Sequence, residues 1–236
     1  MSISSPVYHL ESCAVFGRTL HEYRRFFALG DLPPGASILD VAAGSASFTA
    51  EARALGYRAK ALDPSYAMNE RALRLRIEDD YARCIDRLML SRAHFNGRDG
   101  ALEAAVAQRR EAKDRFLADF RLGQAAGYYL ADELPHTGLE TAAFDYVLSG
   151  HFLFLYGQFE GFDRDFHLAA CRELARLAAV EARIYPVIQM DGEPYPHLDA
   201  VREELEQTGV HSELRTVDYE FLRGAHQMLV LQGGND

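Results

Sequence analysis

The chain has no tryptophan, only three cysteines and, among its 25 basic residues, only two lysines, Lys60 and Lys113. Cys13, Cys84 and Cys171 lie far apart and form no CxxC pair, which speaks against a disulfide framework or a zinc site. The nine histidines include no i, i+4 pair, so a helical metal site is not expected. A run of about 18 apolar residues, the signature of a membrane span, is absent. So is a basic start leading into an apolar stretch, and the expected location is the cytoplasm. No two glycines stand at i, i+2, and there is no G-x-x-x-x-G-K-[ST]. The usual loops for dinucleotide pyrophosphates and nucleoside triphosphates are therefore missing. A net charge of −10 disfavours a broad hold on nucleic acid, and the expected partner is a small-molecule substrate, with no membrane.

What is present is an alternation of short apolar runs and amphipathic stretches. Residues 7–29 read as a helix, with Phe16, Leu20, Tyr23 and Phe27 on one face. "GDLPPGA" ends it, "SILDV" reads as a strand, "SFTAEARALG" as its crossover helix and "YRAKALD" as a second strand. Residues 66–124 are helical and charge-rich, with a break at "NGRDG". "GYYLADELP" and "FDYVLSGHF" then each read as a strand running into a loop. "RDFHLAACRELARLA", "EARIYPVI" and "HLDAVREELEQTG" continue the rhythm. "SELRTVDYEF" and "HQMLVLQ", separated by only "LRGA", imply an antiparallel pair. The expected fold is α/β: a doubly wound, mostly parallel seven-stranded sheet with a C-terminal antiparallel hairpin. It forms one domain over residues 1–236, with a helical lid at 1–29 and a helical insertion at 66–124.

Ligands of such sheets bind beyond the carboxyl ends of the strands, near the point where strand order reverses. Asp40, Gly44, Asp63, Asp132, Ser149 and His151 fall at such ends. An acid at position 40 would repel a pyrophosphate but suits an ammonium or sulfonium, and Gly44 lets a ligand approach the backbone. Nineteen residues after Gly44, Asp63 stands where an acid can take the two hydroxyls of a ribose. A cationic nucleoside without phosphate describes S-adenosylmethionine.

"ILDVAAGSASF" resembles the first motif of class I S-adenosylmethionine-dependent methyltransferases, D-x-G-x-G-x-G or D-x-A-x-G-x-G after a strand. "ALDPS", "YYLADELP" and "FDYVLSGHFLFLY" are similar to the motifs that follow, over most of the chain outside residues 66–124. The resemblance implies Asp40, Ala42 and Gly44 near the methionine part, Asp63 and Pro64 at the ribose, and Asp132 or Glu133 at the adenine. It also implies Ser149, Gly150 and His151 where donor meets acceptor, and Tyr23 at the cofactor carboxylate. His151 is the candidate general base, although a histidine at a strand end also serves as scaffold. Ala42 and Ala46 replace the outer glycines of the fullest motif. The N/D-P-P-Y/F sequence of many amino-methylating nucleic-acid enzymes is absent, and no cysteine lies in that loop. The function implied is methyl transfer to a small-molecule acceptor. The alternatives are methylation of RNA, docked through Arg109, Arg110, Lys113 and Arg115 of the insertion, and cofactor binding without catalysis.

Overall fold

The computed structural model describes residues 13–90 and 101–233. Seven strands form one sheet in the order β3-β2-β1-β4-β5-β7-β6. They are β1 (Ser37–Val41), β2 (Arg58–Leu62), β3 (Tyr129–Leu130), β4 (Phe144–Gly150), β5 (Ala178–Tyr185), β6 (Val210–Thr216) and β7 (Gln227–Gly233). β1 runs parallel to both β2 and β4, with Asp40 level with Ala61 on one side and Leu148 on the other. β7 is antiparallel to β5 and to β6, as the sequence predicts. After β3 the chain crosses back to the far side of β1, so strand order reverses between β1 and β4. That is where an open α/β sheet leaves a crevice.

Alternation along the strands splits the core between the two faces. Leu39, Val41 and Val147 pack with Leu168, Leu174, Val201 and Leu205 of α5 (Arg164–Leu177) and α6 (Leu198–Gln207). Ile38, Tyr146 and Leu148 pack with Phe26 and Phe48 of α1 (Leu20–Phe26) and α2 (Phe48–Ala54). Asp40 shares parity with Ile38, so its carboxylate is turned into this second, aromatic layer.

Two expectations are corrected. Of the proposed helix 7–29 only Leu20–Phe26 is α-helical among the described residues, with Leu29 in a short 3₁₀ turn (Leu29–Asp31), and 7–12 lie outside them. Residues 13–18 form an irregular strap whose amides are taken by side chains: Ala14 N donates to the Tyr156 hydroxyl (3.1 Å), Val15 N to Asp80 (2.9 Å) and Gly17 N to Ser45 (3.1 Å). A Cβ on Gly17 would stand 2.0 Å from the Ser45 carbonyl oxygen, so the strap lies directly on the loop after β1. Between β2 and β3 the described residues form a 3₁₀ turn (Pro64–Ala67), α3 (Glu70–Leu90) and α4 (Ala101–Ala125), while "NGRDG" lies outside them. The connection from β6 to β7 is not "LRGA" but residues 217–226. The chain leaves the ladder after Thr216 because Val217, Tyr219 and Ala225 are buried against α1.

Candidate functional site

At the carboxyl ends of β1, β2 and β4 lies a cavity of about 580 Å³, covered by the strap and flanked by α3. Its size falls in the range of small-molecule sites. Ala42, Gly44, Asp63, Pro64, Glu133, Gly150, His151 and Tyr23 line it, so eight of the residues singled out in the sequence converge on one space. Asp40, Asp132 and Ser149 do not reach its wall.

The loop between β1 and α2 is shaped by two left-handed residues. Gly44 has φ 54°, and Ala42 has φ 56° where the fullest motif carries glycine. Gly44 N donates to Asp63 Oδ2 at 2.9 Å, and the Tyr66 hydroxyl donates to the Gly44 carbonyl at 2.6 Å. The other Asp63 oxygen accepts from Ser65 N (2.9 Å) and the Ser65 hydroxyl (2.5 Å). Asp63 is thus both the cap of the following turn and a fixed acceptor on the cavity wall. Its pKa is raised by burial, against which these hydrogen bonds work. Three of the roughly four acceptor positions on a carboxylate are occupied by protein, leaving one for a ligand.

Asp40 is fully buried below the cavity floor. The Tyr23 hydroxyl donates to its Oδ2 at 2.9 Å, while Oδ1 has no partner. Burial holds its pKa well above the ordinary carboxylate range, and nearby Asp63 adds to the effect. Tyr23, stacked on Phe48 with ring centroids 4.5 Å apart, spends its proton on Asp40 and has none to offer a cofactor carboxylate. The expected partner of that carboxylate is corrected accordingly. Asp132 is not on the cavity wall: its oxygens accept from Glu133 N and Gly138 N (2.9 Å each), while the neighbouring, exposed Glu133 borders the cavity. Ser149 is buried with its hydroxyl unpartnered, behind the wall that Gly150 and His151 form.

His151 is half-buried with φ 58°, a left-handed conformation that non-glycine residues seldom hold outside functional sites. Its ring lies edge-on to Phe26 (4.9 Å) and Tyr185 (5.1 Å), and Nδ1 has no partner. Burial drives its pKa well below that of free histidine, helped by the charges of Arg18 and Arg109. Both effects favour the neutral imidazole, the form that has a lone pair to offer a proton.

One arginine not foreseen joins the site, and a second, Arg109, lies beside it. Arg18 lines the cavity from the strap. It donates to the Phe16 carbonyl at 3.1 Å, its Nε is buried without a partner, and no carboxylate among the described residues lies within ion-pair distance. Burial lowers its pKa, as does the neighbouring Arg109. Arg109, from α4, is fully buried and paired through Nη1 with both oxygens of Glu22, which also accepts from the Tyr219 hydroxyl at 2.9 Å. The basic run of α4 is therefore divided, with Arg109 buried and Arg110 and Arg115 exposed. Arg109 is inside, Lys113 pairs with Glu78 (2.9 Å), and Arg115 pairs with Glu51 (2.7 Å) and Glu111 (2.5 Å). Arg18 left no trace in the spacing; the only hint was an isolated Gly17 in a stretch that otherwise reads as helix.

Among the described residues, no cluster of His, Cys, Asp and Glu could hold a metal ion, and no helix is long and apolar enough to cross a membrane.

No protein-family model matches the chain. It is 26% identical over 226 residues to the uncharacterized protein MJ0045 of Methanocaldococcus jannaschii, covering 95% of this chain and 98% of that one. Among solved structures it is similar to the glycopeptide N-methyltransferase MtfA complexed with S-adenosylmethionine, with TM-score 0.49, 14% identity, and 97% and 100% of the two chains covered. It is likewise similar to a chain from the complex of the Haloferax volcanii Trm112 methyltransferase activator with a methyltransferase. There the TM-score is 0.49, identity 12%, and coverage 93% and 91%. These are likenesses of fold.

Proposed function

We propose that this chain is an S-adenosylmethionine-dependent methyltransferase acting on a small-molecule acceptor. The observation that carries the proposal is the charge layout of the crevice. Asp63 lies on the wall at the β1–β2 end with Asp40 buried beneath the floor, and of the two guanidiniums on the wall, Arg18 and Arg76, Arg76 is already paired with Asp80. No cluster of cations is there to hold a pyrophosphate. Two residues of the wall, Arg18 and His151, carry buried polar atoms without a partner, Nε and Nδ1. Buried polar atoms are rarely left unsatisfied, so the wall suits a polar ligand, and Asp63 and Arg18 face it with one charge of each sign.

The residues fit the cofactor piece by piece. Asp63, fixed by Gly44 and Ser65, offers its one remaining acceptor position to a ribose hydroxyl, with Pro64 beside it. Glu133 replaces Asp132 as the acid available to the adenine end. The Gly44 backbone borders the methionine end of the cofactor, and Arg18 takes its carboxylate. When bound, the cofactor supplies a methyl group on a positively charged sulfur. The protein's contribution is to hold an acceptor in line with that group and to exclude water, and orientation alone can supply most of the acceleration. His151, neutral and at the end of β4, is placed to take a proton from an acceptor that must lose one.

Calorimetry tests the role of Arg18. Arg18→Met is expected to weaken S-adenosylmethionine by about tenfold, the loss of one charge-assisted hydrogen bond. Binding of the decarboxylated analogue should be unchanged. Equal losses for both ligands would remove Arg18 from the carboxylate.

A further inference from the structure

Beyond the end of β4 the cavity continues into a chamber of different chemistry. Phe152, Leu155, Tyr156, Phe162, Phe166 and Met190 form its walls. The rings meet edge to face, Phe152 with Phe162 at 5.5 Å and Phe162 with Phe166 at 4.8 Å. The Asp163 side chain caps α5 through Phe166 N at 2.9 Å, which fixes where Phe166 stands. None of these six side chains carries a charge. The charged residues of the whole cavity wall are Arg18, Asp63, Arg76 and Glu133. Arg76 is already occupied by Asp80 (2.7 Å) and by the Cys13 carbonyl (2.9 Å). Asp63 and Glu133 stand on the β2–β3 side. Nothing in the chamber would stabilise an ammonium, a phosphate or a sugar, since each would lose its hydration without a partner. A flat aromatic ring would gain both apolar burial and edge-to-face contacts.

We infer that the acceptor is an uncharged aromatic molecule bearing a hydroxyl, seated among Phe152, Phe162 and Phe166 with the hydroxyl directed to His151. This rests on the methyltransferase proposal and names its substrate class. The hydroxyl oxygen forms the bond to the methyl carbon with its own electron pair as the carbon–sulfur bond breaks and leaves its pair on sulfur. The hydroxyl proton passes to the imidazole of His151 and then to water. No oxidant or further reactant is required. The neutral state of His151, enforced by burial and by two nearby arginines, is the state that can accept this proton.

The probe is 2-naphthol, followed by its own fluorescence on the full-length protein with and without S-adenosylhomocysteine. Saturable binding is expected, weakened at least tenfold by Phe162→Ala. Leu155→Trp, which fills the chamber without opening a void, should block it. Neither substitution should move the affinity for S-adenosylmethionine measured in parallel. With S-adenosylmethionine present, the product is 2-methoxynaphthalene, and His151→Gln should lower kcat tenfold or more with little change in KM for the ring. Saturation that ignores both chamber variants, or preference for a cationic naphthylmethylamine or a naphthyl phosphate over 2-naphthol, would overturn the inference. Failure of S-adenosylmethionine itself to bind would strike the cofactor proposal instead. Chamber-dependent binding of 2-naphthol would still support the aromatic subsite in that case.

Discussion

Ala42 carries the sharpest tension at the residue scale. It holds φ 56° in a loop where the resembling motif uses glycine, and an L-residue there costs roughly 1–2 kcal/mol. Glycine would remove that cost while losing about 0.5–1 kcal/mol through the greater freedom of the unfolded chain. Ala42→Gly is therefore expected to leave stability equal or higher by up to about 1 kcal/mol, a rise in Tm of at most about 4 °C by calorimetry. A fall of several degrees would mean the methyl group makes contacts that outweigh the strain. Ala46 has a plainer explanation: it is buried in the aromatic layer beside the strap, so a side chain is packed there. The choice between Asp132 and Glu133 was not legible in the sequence. Only the loop's own hydrogen bonds, which hold the Asp132 carboxylate on Glu133 N and Gly138 N, decide which of the two borders the cavity.

Among elements, the insertion and the N-terminal segment act together. Asp80 and Arg76 of α3 hold the strap at Val15 and Cys13, and the Tyr81 hydroxyl accepts from Gly17 N at 3.1 Å. Arg109 of α4 reaches Glu22 of α1, and Tyr219 joins them from the β6–β7 connection. Removing one member of a buried pair strands the other charge, at about 3–5 kcal/mol. Glu22→Met and Arg109→Met are each expected to lower unfolding free energy by that amount in urea. The double variant should lose much less than the sum. Strictly additive losses would show that the two side chains do not act as a pair. These contacts explain what the sequence concealed. The 4, 3, 4 spacing of Phe16, Leu20, Tyr23 and Phe27 mimics a helix face, yet Phe16 belongs to a strap whose amides are already claimed by side chains. A basic run likewise gives no measure of depth, and α4 turns Arg109 inward while its neighbours stay out.

For the whole molecule, the alternation of apolar runs and helices was enough to foresee a doubly wound sheet closed by an antiparallel hairpin. Strand ends were readable because the apolar runs stop at acids or turn residues, which is why eight of the proposed site residues meet at one crevice. Lining that depends on long-range folding was not readable: Arg18 arrives on the strap, and Phe221 and Leu222 arrive on the β6–β7 connection. The central claim is that this crevice holds a phosphate-free, cationic nucleoside through Asp63. The direct measurement is calorimetric titration of the protein with S-adenosylmethionine, repeated on Asp63→Ala. The account predicts a saturable one-site isotherm and at least a tenfold loss of affinity in the variant, since a hydrogen bond to a charged acceptor contributes about 1.5–3 kcal/mol. No heat and no thermal shift with either S-adenosylmethionine or S-adenosylhomocysteine, or a variant that binds as the wild type does, would contradict it.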